Sequence, residues 1–391
     1  MIEINDKCVG CQACQQICTK DAIKMIENKE GFLYPDIDEK KCIKCGQCNK
    51  VCPVSVENQF NIENQKSFKI YGGYCTSIQT DQASSGRIFP LITKKFFTEN
   101  KENSKVYGVK MEGKRACHYE ATSYNEIKQG FGSKYIQSDL SNIYSKIKKD
   151  LGNESKVLFS GTPCQIAGLK KYLGKEYEKL FTQAIFCHGV ASPKVFKKYC
   201  DYVENTYNKM IKSVSFRSKK NGWEKYGMEI KFLDGGVYYK ESEKDLFHKT
   251  FGGNISLRKS CYNCQFKYPN YQADITIGDF WNVGTICPKL YDKNGVSIII
   301  IGSEKGKKII DKIKNNMKLE QIKISDLYKS QKGIKDSVAM NPNRTEFFEK
   351  LDKEKFDGLV NRLTLLPIHK RVRIILGKTY KKILFSILRK D

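Results

Sequence analysis

Cys8 to Cys18 reads CVGCQACQQIC and Cys42 to Pro53 reads CIKCGQCNKVCP, so the spacing C-x2-C-x2-C-x3-C occurs twice. Eight cysteines therefore fall within the first sixty residues. A segment this short buries too little apolar surface to hold itself together, and its stability must come largely from what the thiolates bind. Two-residue gaps let three thiolates of a run wrap one [4Fe–4S] cluster, while the fourth thiolate reaches the other cluster. On that rule Cys8, Cys11, Cys14 and Cys52 hold one centre, and Cys42, Cys45, Cys48 and Cys18 hold the second. Zinc is the competing metal, but its sites favour two CxxC pairs parted by a spacer over two runs of four thiols.

Between the runs, Ala22 to Ile26 and Gly31 to Ile37 (GFLYPDI) read as short strands, so each half has a similar strand-and-turn plan. The segment resembles a bacterial two-cluster ferredoxin domain. Thr19 stands where that pattern has proline, a change that touches local turn geometry and no ligand.

The whole chain has 391 residues, which suits two or three domains. Its 40% hydrophobic and 12% aromatic content supplies real cores, and excludes both a disulfide-stapled miniprotein and wholesale disorder. Lys and Arg total 69 against 43 Asp and Glu, a formal charge of +26. The lysines are scattered without a nucleic-acid motif, so the charge reads as composition and no nucleic-acid partner is expected. The start, MIEIND, lacks the basic and apolar regions of a secretory signal. The longest purely aliphatic stretch, Ile298 to Ile301, is a fragment of the ~18 residues a membrane span needs. A cytoplasmic protein with reduced thiols is expected, and its 16 cysteines read as ligands or packing groups before disulfides.

After Pro53, Glu57 to Lys69 is polar and reads as a linker, with a second domain from near Ile70. Val157 to Ser160 is a strand, Gly161-Thr162-Pro163-Cys164 a tight loop, and Gln165 to Leu173 a helix. That loop places Thr162, Cys164 and backbone N–H groups where a helix dipole favours an anion or a thiolate. Ala184 to Phe186 leads into Cys187-His188-Gly189, and Ser192-Pro193 caps a helix through Tyr207. Met228 to Leu233 and Val237 to Lys240 flank the hairpin pair Asp234-Gly235. Cys261-Tyr262-Asn263-Cys264 precedes the alternating strand Ala273 to Phe280. Val296 to Ile301 is a buried strand and Lys305 to Asn315 a helix. Strands and helices alternate, which predicts an α/β core, α+β overall: a small ferredoxin-like two-cluster domain followed by a mixed α/β domain. Cys164, Cys187, Cys261 and Cys264 sit at strand ends of one sheet and can ligate a third cluster. Cys164 with His188 as nucleophile and base is the rival reading, which leaves the CxxC pair without a purpose. Cys75, Cys117, Cys200 and Cys287 read as small buried hydrophobes. His118, His248 and His369 read as structural.

Ala83 to Phe89 (ASSGRIF), Gly132 to Leu140 (GSKYIQSDL), Phe159 to Leu173 (FSGTPCQIAGLKKYL), Phe186 to Pro193 (FCHGVASP) and Leu257 to Trp281 (LRKSCYNCQFKYPNYQADITIGDFW) resemble the coenzyme F420 hydrogenase/dehydrogenase beta-subunit family. The resemblance runs over about residues 70 to 305, with the five motifs in the family's order. It implies FAD beside a [4Fe–4S] cluster, with Cys164, Cys187, Cys261 and Cys264 as that cluster's ligands. For FAD it points to Ser84, Ser85 and Gly86, to Lys134, Tyr135, Gln137 and Ser138, and to Gly161 and Thr162. Arg217, Trp223, Asp279 and Trp281 lie in matching motifs that shape the flavin or substrate pocket, though the tryptophans also suit a core. Arg87 replaces a usual glycine, and either crowds the backbone or pairs with the FAD pyrophosphate. Lys259 replaces a usual proline. The implied organisation is a ferredoxin domain at 1–60, the two parts of the family region at 61–150 and 151–325, and a helical basic tail at 326–391.

From Ile368 to Asp391 eight Lys or Arg meet one Asp, with apolar residues at helical spacing. Such a basic amphipathic helix suits peripheral contact with an anionic membrane surface, or docking on protein. The functional expectation is an oxidoreductase that passes electrons between clusters and FAD, to or from an organic substrate or a deazaflavin or nicotinamide-type carrier. Some relatives occur with polysaccharide-assembly enzymes. The partner is a redox protein or a small electron carrier, and a relay subunit with no substrate site is the alternative.

Overall fold

The computed structural model describes residues 2–55, 69–79, 82–99, 103–331 and 333–365. The basic helix expected at 368–391 lies outside the described residues, as does the linker up to residue 68.

In the amino-terminal region, strands β1 (Ile23–Glu27) and β2 (Leu33–Ile37) form an antiparallel hairpin in which Ile23 faces Ile37. Short helices Ala13–Ile17 and Gln47–Lys50 each follow a left-handed residue, Gln12 at φ 61° and Gly46 at φ 76°. The equivalent placement gives the two halves the same plan that their cysteine spacing predicts. Gln12 adopts a conformation that disfavours a β-carbon, and its buried amide offsets this by bonding outside the domain. The amide donates to Asp139 Oδ1 at 2.9 Å and accepts from the Leu140 N–H at 3.2 Å.

The rest of the chain is built on β3 (Lys69–Cys75), β4 (Ser104–Glu112), β5 (Arg115–Ala121), β6 (Ser138–Asp139), β7 (Lys156–Gly161) and β8 (Leu180–Ile185). Three further strands, β9 (Ile211–Ser218), β10 (Gly227–Phe232) and β11 (Val237–Glu241), form a separate antiparallel sheet. Strands β12 (Ile275–Asp279), β13 (Ser297–Ile301) and β14 (Met317–Gln321) return to the first. The nine-stranded order is β14-β3-β13-β12-β8-β7-β4-β5-β6, a mixed sheet. It draws strands from both halves of the region expected to follow the linker. Strands β4, β7, β8 and β12 run parallel, so the carboxyl ends of β7, β8 and β12 share one edge. Ligands gather at that edge in sheets of this kind.

Every residue of β13, SIIII, is buried, as a central strand covered on both faces requires. Ile299 and Ile301 pack with Ile92 and Ile310 on one side, and Ile298 and Ile300 with Phe280 and Leu290 on the other. The smaller sheet packs Phe216, Met228 and Ile230 on Phe196 of the helix Pro193–Tyr207. Ser192 caps that helix, accepting from the Val195 N–H at 3.2 Å. Helices Arg344–Lys350 and Phe356–Thr364 close this cluster through Phe347 and Leu359.

The two regions are bolted together. Gln16 accepts from the N–H groups of Tyr144 and Ser145, at 2.8 and 3.2 Å, at the start of the helix Ile143–Gly152. Arg344 grips both carboxylate oxygens of Glu30 at 2.7 and 2.5 Å and donates to Leu257 O. No helix among the described residues is long and apolar enough to cross a membrane.

Candidate functional site

The thiols fall into three sets. Cys11, Cys14 and Cys52 are buried beside Cys8. Burial pushes the Cys14 thiol up to about 12, and the neighbouring sulfurs of Cys8 and Cys52 push in the same direction. Cys11 is raised by the same two causes. Four thiolates packed here repel one another, so the set holds its ionised form only around cations. Cys18, Cys42, Cys45 and Cys48 ring a small cavity walled by Ile23 and Ile37. Cys45 is exposed, which leaves this set at the surface.

The third set lies at the carboxyl edge of the large sheet. Cys164 is the second residue of the helix Pro163–Leu173 after β7, Cys187 follows β8, and Cys261 and Cys264 belong to the 3-10 turn before β12 and its end. All four line one small cavity with Val9, Arg258 and Lys267. Burial is the leading cause that raises Cys164 to about 12 and Cys261 to about 11, and other thiols of the set add to it. Cys187 is raised by burial and by Cys261 and Cys164. Thr162 Oγ1 lies 3.1 Å from Cys164 Sγ. His188 is held by Asn254 at 2.7 Å and does not pair with Cys164, which removes the hydrolase reading's base. Among the described residues no three Cys, His, Asp or Glu close on one point as a single ion requires. The donors of the second and third sets surround hollows instead, a geometry that suits a cluster.

A cavity of about 460 Å³ opens on the same edge. Ser84, Ser85, Lys134, Tyr135, Ser138, Gly161 and Thr162 line it, and Cys187 to Val190 line both this cavity and that of the third set. Gly86 and Gln137 are not in that wall. Gly86 is wedged where a β-carbon would stand 2.6 Å from Gly73 O, and its N–H donates to Ser297 Oγ. Gln137 points the other way, donating to Val9 O and Gly10 O in the ferredoxin region. Lys134 donates to the carbonyls of Gly130, Phe131 and Gly132 at 2.7, 2.9 and 3.2 Å. All three of its donors are spent on its own loop, and burial lowers it to about 7. Arg87 also lines the cavity; it takes the glycine conformation at φ 61° and donates twice to Cys75 O.

On the far wall Arg217 donates to Asp279 Oδ2 at 2.5 Å, and Trp223 Nε1 to Asp279 Oδ1 at 3.1 Å. Trp223 stacks on Trp281 with centroids 5.2 Å apart, and the guanidinium lies between Tyr226 and Trp281. Buried aromatic packing and cavity lining are thus one structure.

Residues 154–326 match the family model for the carboxyl terminus of the coenzyme F420 hydrogenase/dehydrogenase beta subunit, and residues 7–56 match the 4Fe-4S dicluster domain. Residues 154–326 belong to that beta-subunit family. The amino-terminal region is a 4Fe-4S dicluster domain. An uncharacterized polyferredoxin-like protein of Methanocaldococcus jannaschii is 34% identical over 67 residues, 15% of this chain and 40% of that protein. One component of an ion-translocating oxidoreductase complex of Methanosarcina acetivorans is 41% identical over 46 residues, 12% of this chain and 16% of that component. The chain thus spans less than half the length of either relative. A chain in the xenon-derivatised F420-reducing [NiFe] hydrogenase complex of Methanosarcina barkeri is 18% identical, at a TM-score of 0.46, with 72% of this chain and 91% of that one covered.

Sequence reasoning missed Arg258 and Arg344 as partners of the dicluster domain. A charged residue buried in one domain and paired in another leaves no local pattern to read.

Proposed function

We propose that the chain is an FAD- and iron–sulfur-dependent oxidoreductase in which the dicluster domain exchanges electrons with the large cavity through a third [4Fe–4S] centre. Succession carries the reading. Cys48 of the second set is close enough to raise Cys14 and Cys52 of the first, and Arg258 touches Cys8 while lining the third cavity. The third set then shares its Cys187 to Val190 wall with the large cavity. When bound, the clusters supply single-electron steps and the flavin a two-electron one.

In this reading Cys8, Cys11, Cys14 and Cys52, then Cys42, Cys45, Cys48 and Cys18, hold the dicluster pair. Cys164, Cys187, Cys261 and Cys264 hold the third centre. Ser84, Ser85, Ser138 and Thr162 offer hydroxyls to FAD, and Gly161 keeps the wall thin. The cavity lies within the ~300–1,000 Å³ typical of cofactor sites. Lys134 shapes the loop that Tyr135 presents. The exposed Cys45 side of the second set suits electron exchange with a redox protein, and the large cavity suits a small organic carrier.

Anaerobic purification with iron, sulfide and flavin analysis tests this. About twelve irons and one FAD per chain are expected. Eight irons with flavin remove the third centre, and zinc without flavin overturns the reading. A pure relay subunit would carry the same cofactors yet oxidise no reduced small-molecule carrier by itself.

A further inference from the structure

Four arginines are buried among the described residues: Arg87, Arg217, Arg258 and Arg344. Three have a carboxylate within 4 Å: Asp292 for Arg87, Asp279 for Arg217 and Glu30 for Arg344. Arg258, with no exposed surface at all, has none among the described residues. Its Nε donates to Cys8 O at 2.7 Å, its Nη1 to Gln137 Oε1 at 2.9 Å, and its Nη2 to Leu33 O at 3.0 Å and to Cys8 Sγ at 3.5 Å. The guanidinium carbon stands 4.1 Å from the centre of the Tyr34 ring. The other side of the residue lines the cavity of Cys164, Cys187, Cys261 and Cys264. A buried, permanently charged guanidinium must be compensated, because taking an ion out of water without a countercharge is strongly unfavourable. Carbonyls and rings offset part of that cost, and the countercharge left on both sides is sulfur.

We infer that Arg258 is a positioning residue that sets the electron path electrostatically: it bridges the Cys8 set and the Cys164 set and favours the reduced state of the centres it faces. The Cys8 half of the inference rests on the dicluster domain, and the Cys164 half on the three-centre reading proposed above. A cluster held by four thiolates is a net anion and gains further negative charge with each electron. A fixed cation in a low-dielectric site stabilises that added charge. With clusters bound, an electron would arrive from the neighbouring set and one would leave toward the large cavity. No bond is made or broken, and Arg258 keeps its protons throughout.

The local chain is shaped for this seat. Gly10 takes φ 64°, and a β-carbon there would stand 2.3 Å from Gln137 Nε2 and 2.9 Å from Arg258 Nη1. Gln137 fixes the fork by accepting from Nη1 while its amide donates to Val9 O and Gly10 O. That service explains why Gln137 is turned away from the cofactor wall.

The test is an EPR-monitored redox titration of the intact, anaerobically purified protein and of Arg258→Gln and Arg258→Lys, with iron counted in each. Arg258→Gln should move the reduction curves of the facing centres to more negative potential and leave that of the Cys18, Cys42, Cys45 and Cys48 centre in place. Arg258→Lys keeps the charge and should restore most of the shift. Unmoved curves in an iron-replete Arg258→Gln protein overturn the inference, as does an equal shift in Arg258→Lys. Should Arg258→Gln lose iron, pulsed EPR of the wild-type protein grown with 15N-arginine decides. A guanidinium nitrogen coupled to a reduced centre supports the inference, and no coupling overturns it. A wild-type count of eight irons would remove the third centre and still leave the Cys8 shift to be read.

Discussion

The dicluster region and the sheet region hold their shape by opposite means. Residues 2–55 bury few large apolar side chains, chiefly Ile23, Phe32 and Val51, and carry eight lysines against eight acids. The sheet region buries whole strands and aromatic clusters of its own, and carries most of the chain's charge excess. A fold that depends on ligation should fail as a unit when its metal leaves. A fold that depends on apolar burial should lose stability in increments, residue by residue.

Chelating the iron, or replacing Cys11 with Ala, should produce the largest effect. Amide exchange within 2–55 is expected to approach that of an unfolded chain, while β7, β8, β12 and β13 stay protected. Loss of protection in both regions together would erase the distinction. Next is the bolt between them. Arg344→Ala leaves Glu30 without its bidentate partner and should cost about 4 kcal/mol in anaerobic denaturant titration, with exchange rising first in the dicluster region.

A third effect belongs to the sheet region alone. His118 is buried against Phe159, and burial lowers it to about 4. The unfolded chain takes up a proton near pH 6.5 that the folded one refuses, so stability rises with pH between about 4 and 6.5 and is lost on acidification. On the order of 3 kcal/mol disappears by pH 4, and His118→Phe should flatten that slope in a pH series of thermal melts. The smallest effect sets the baseline. Lys179→Ala removes an exposed, solvent-screened pair with Glu154 and should leave the thermal midpoint unchanged within measurement error.

Much of this was legible in the chain. Cysteine spacing named the dicluster domain because ligation of that kind is local, and the β7 loop and the Ser192 cap were readable because strand, turn and cap signals span a few residues. Ser84, Ser85 and Thr162 share one cavity wall. Gly86 and Gln137 do not, because which way a residue in an irregular loop faces is settled by what packs behind it. For Gln137 that is the ferredoxin backbone and Arg258, more than a hundred residues away in either direction.

Sequence by itself determined the kinds of chemistry present: three sets of thiols, a sheet whose strand ends carry them, and hydroxyl-bearing loops nearby. Tertiary structure alone decided their order in space. It set the first thiols against the third across a single buried cation and turned Lys134 and Arg87 inward onto carbonyls. The reason is physical: ligand spacing and hydrophobic period are written over short stretches, whereas the electrostatic partner of a buried charge is chosen only when distant segments meet.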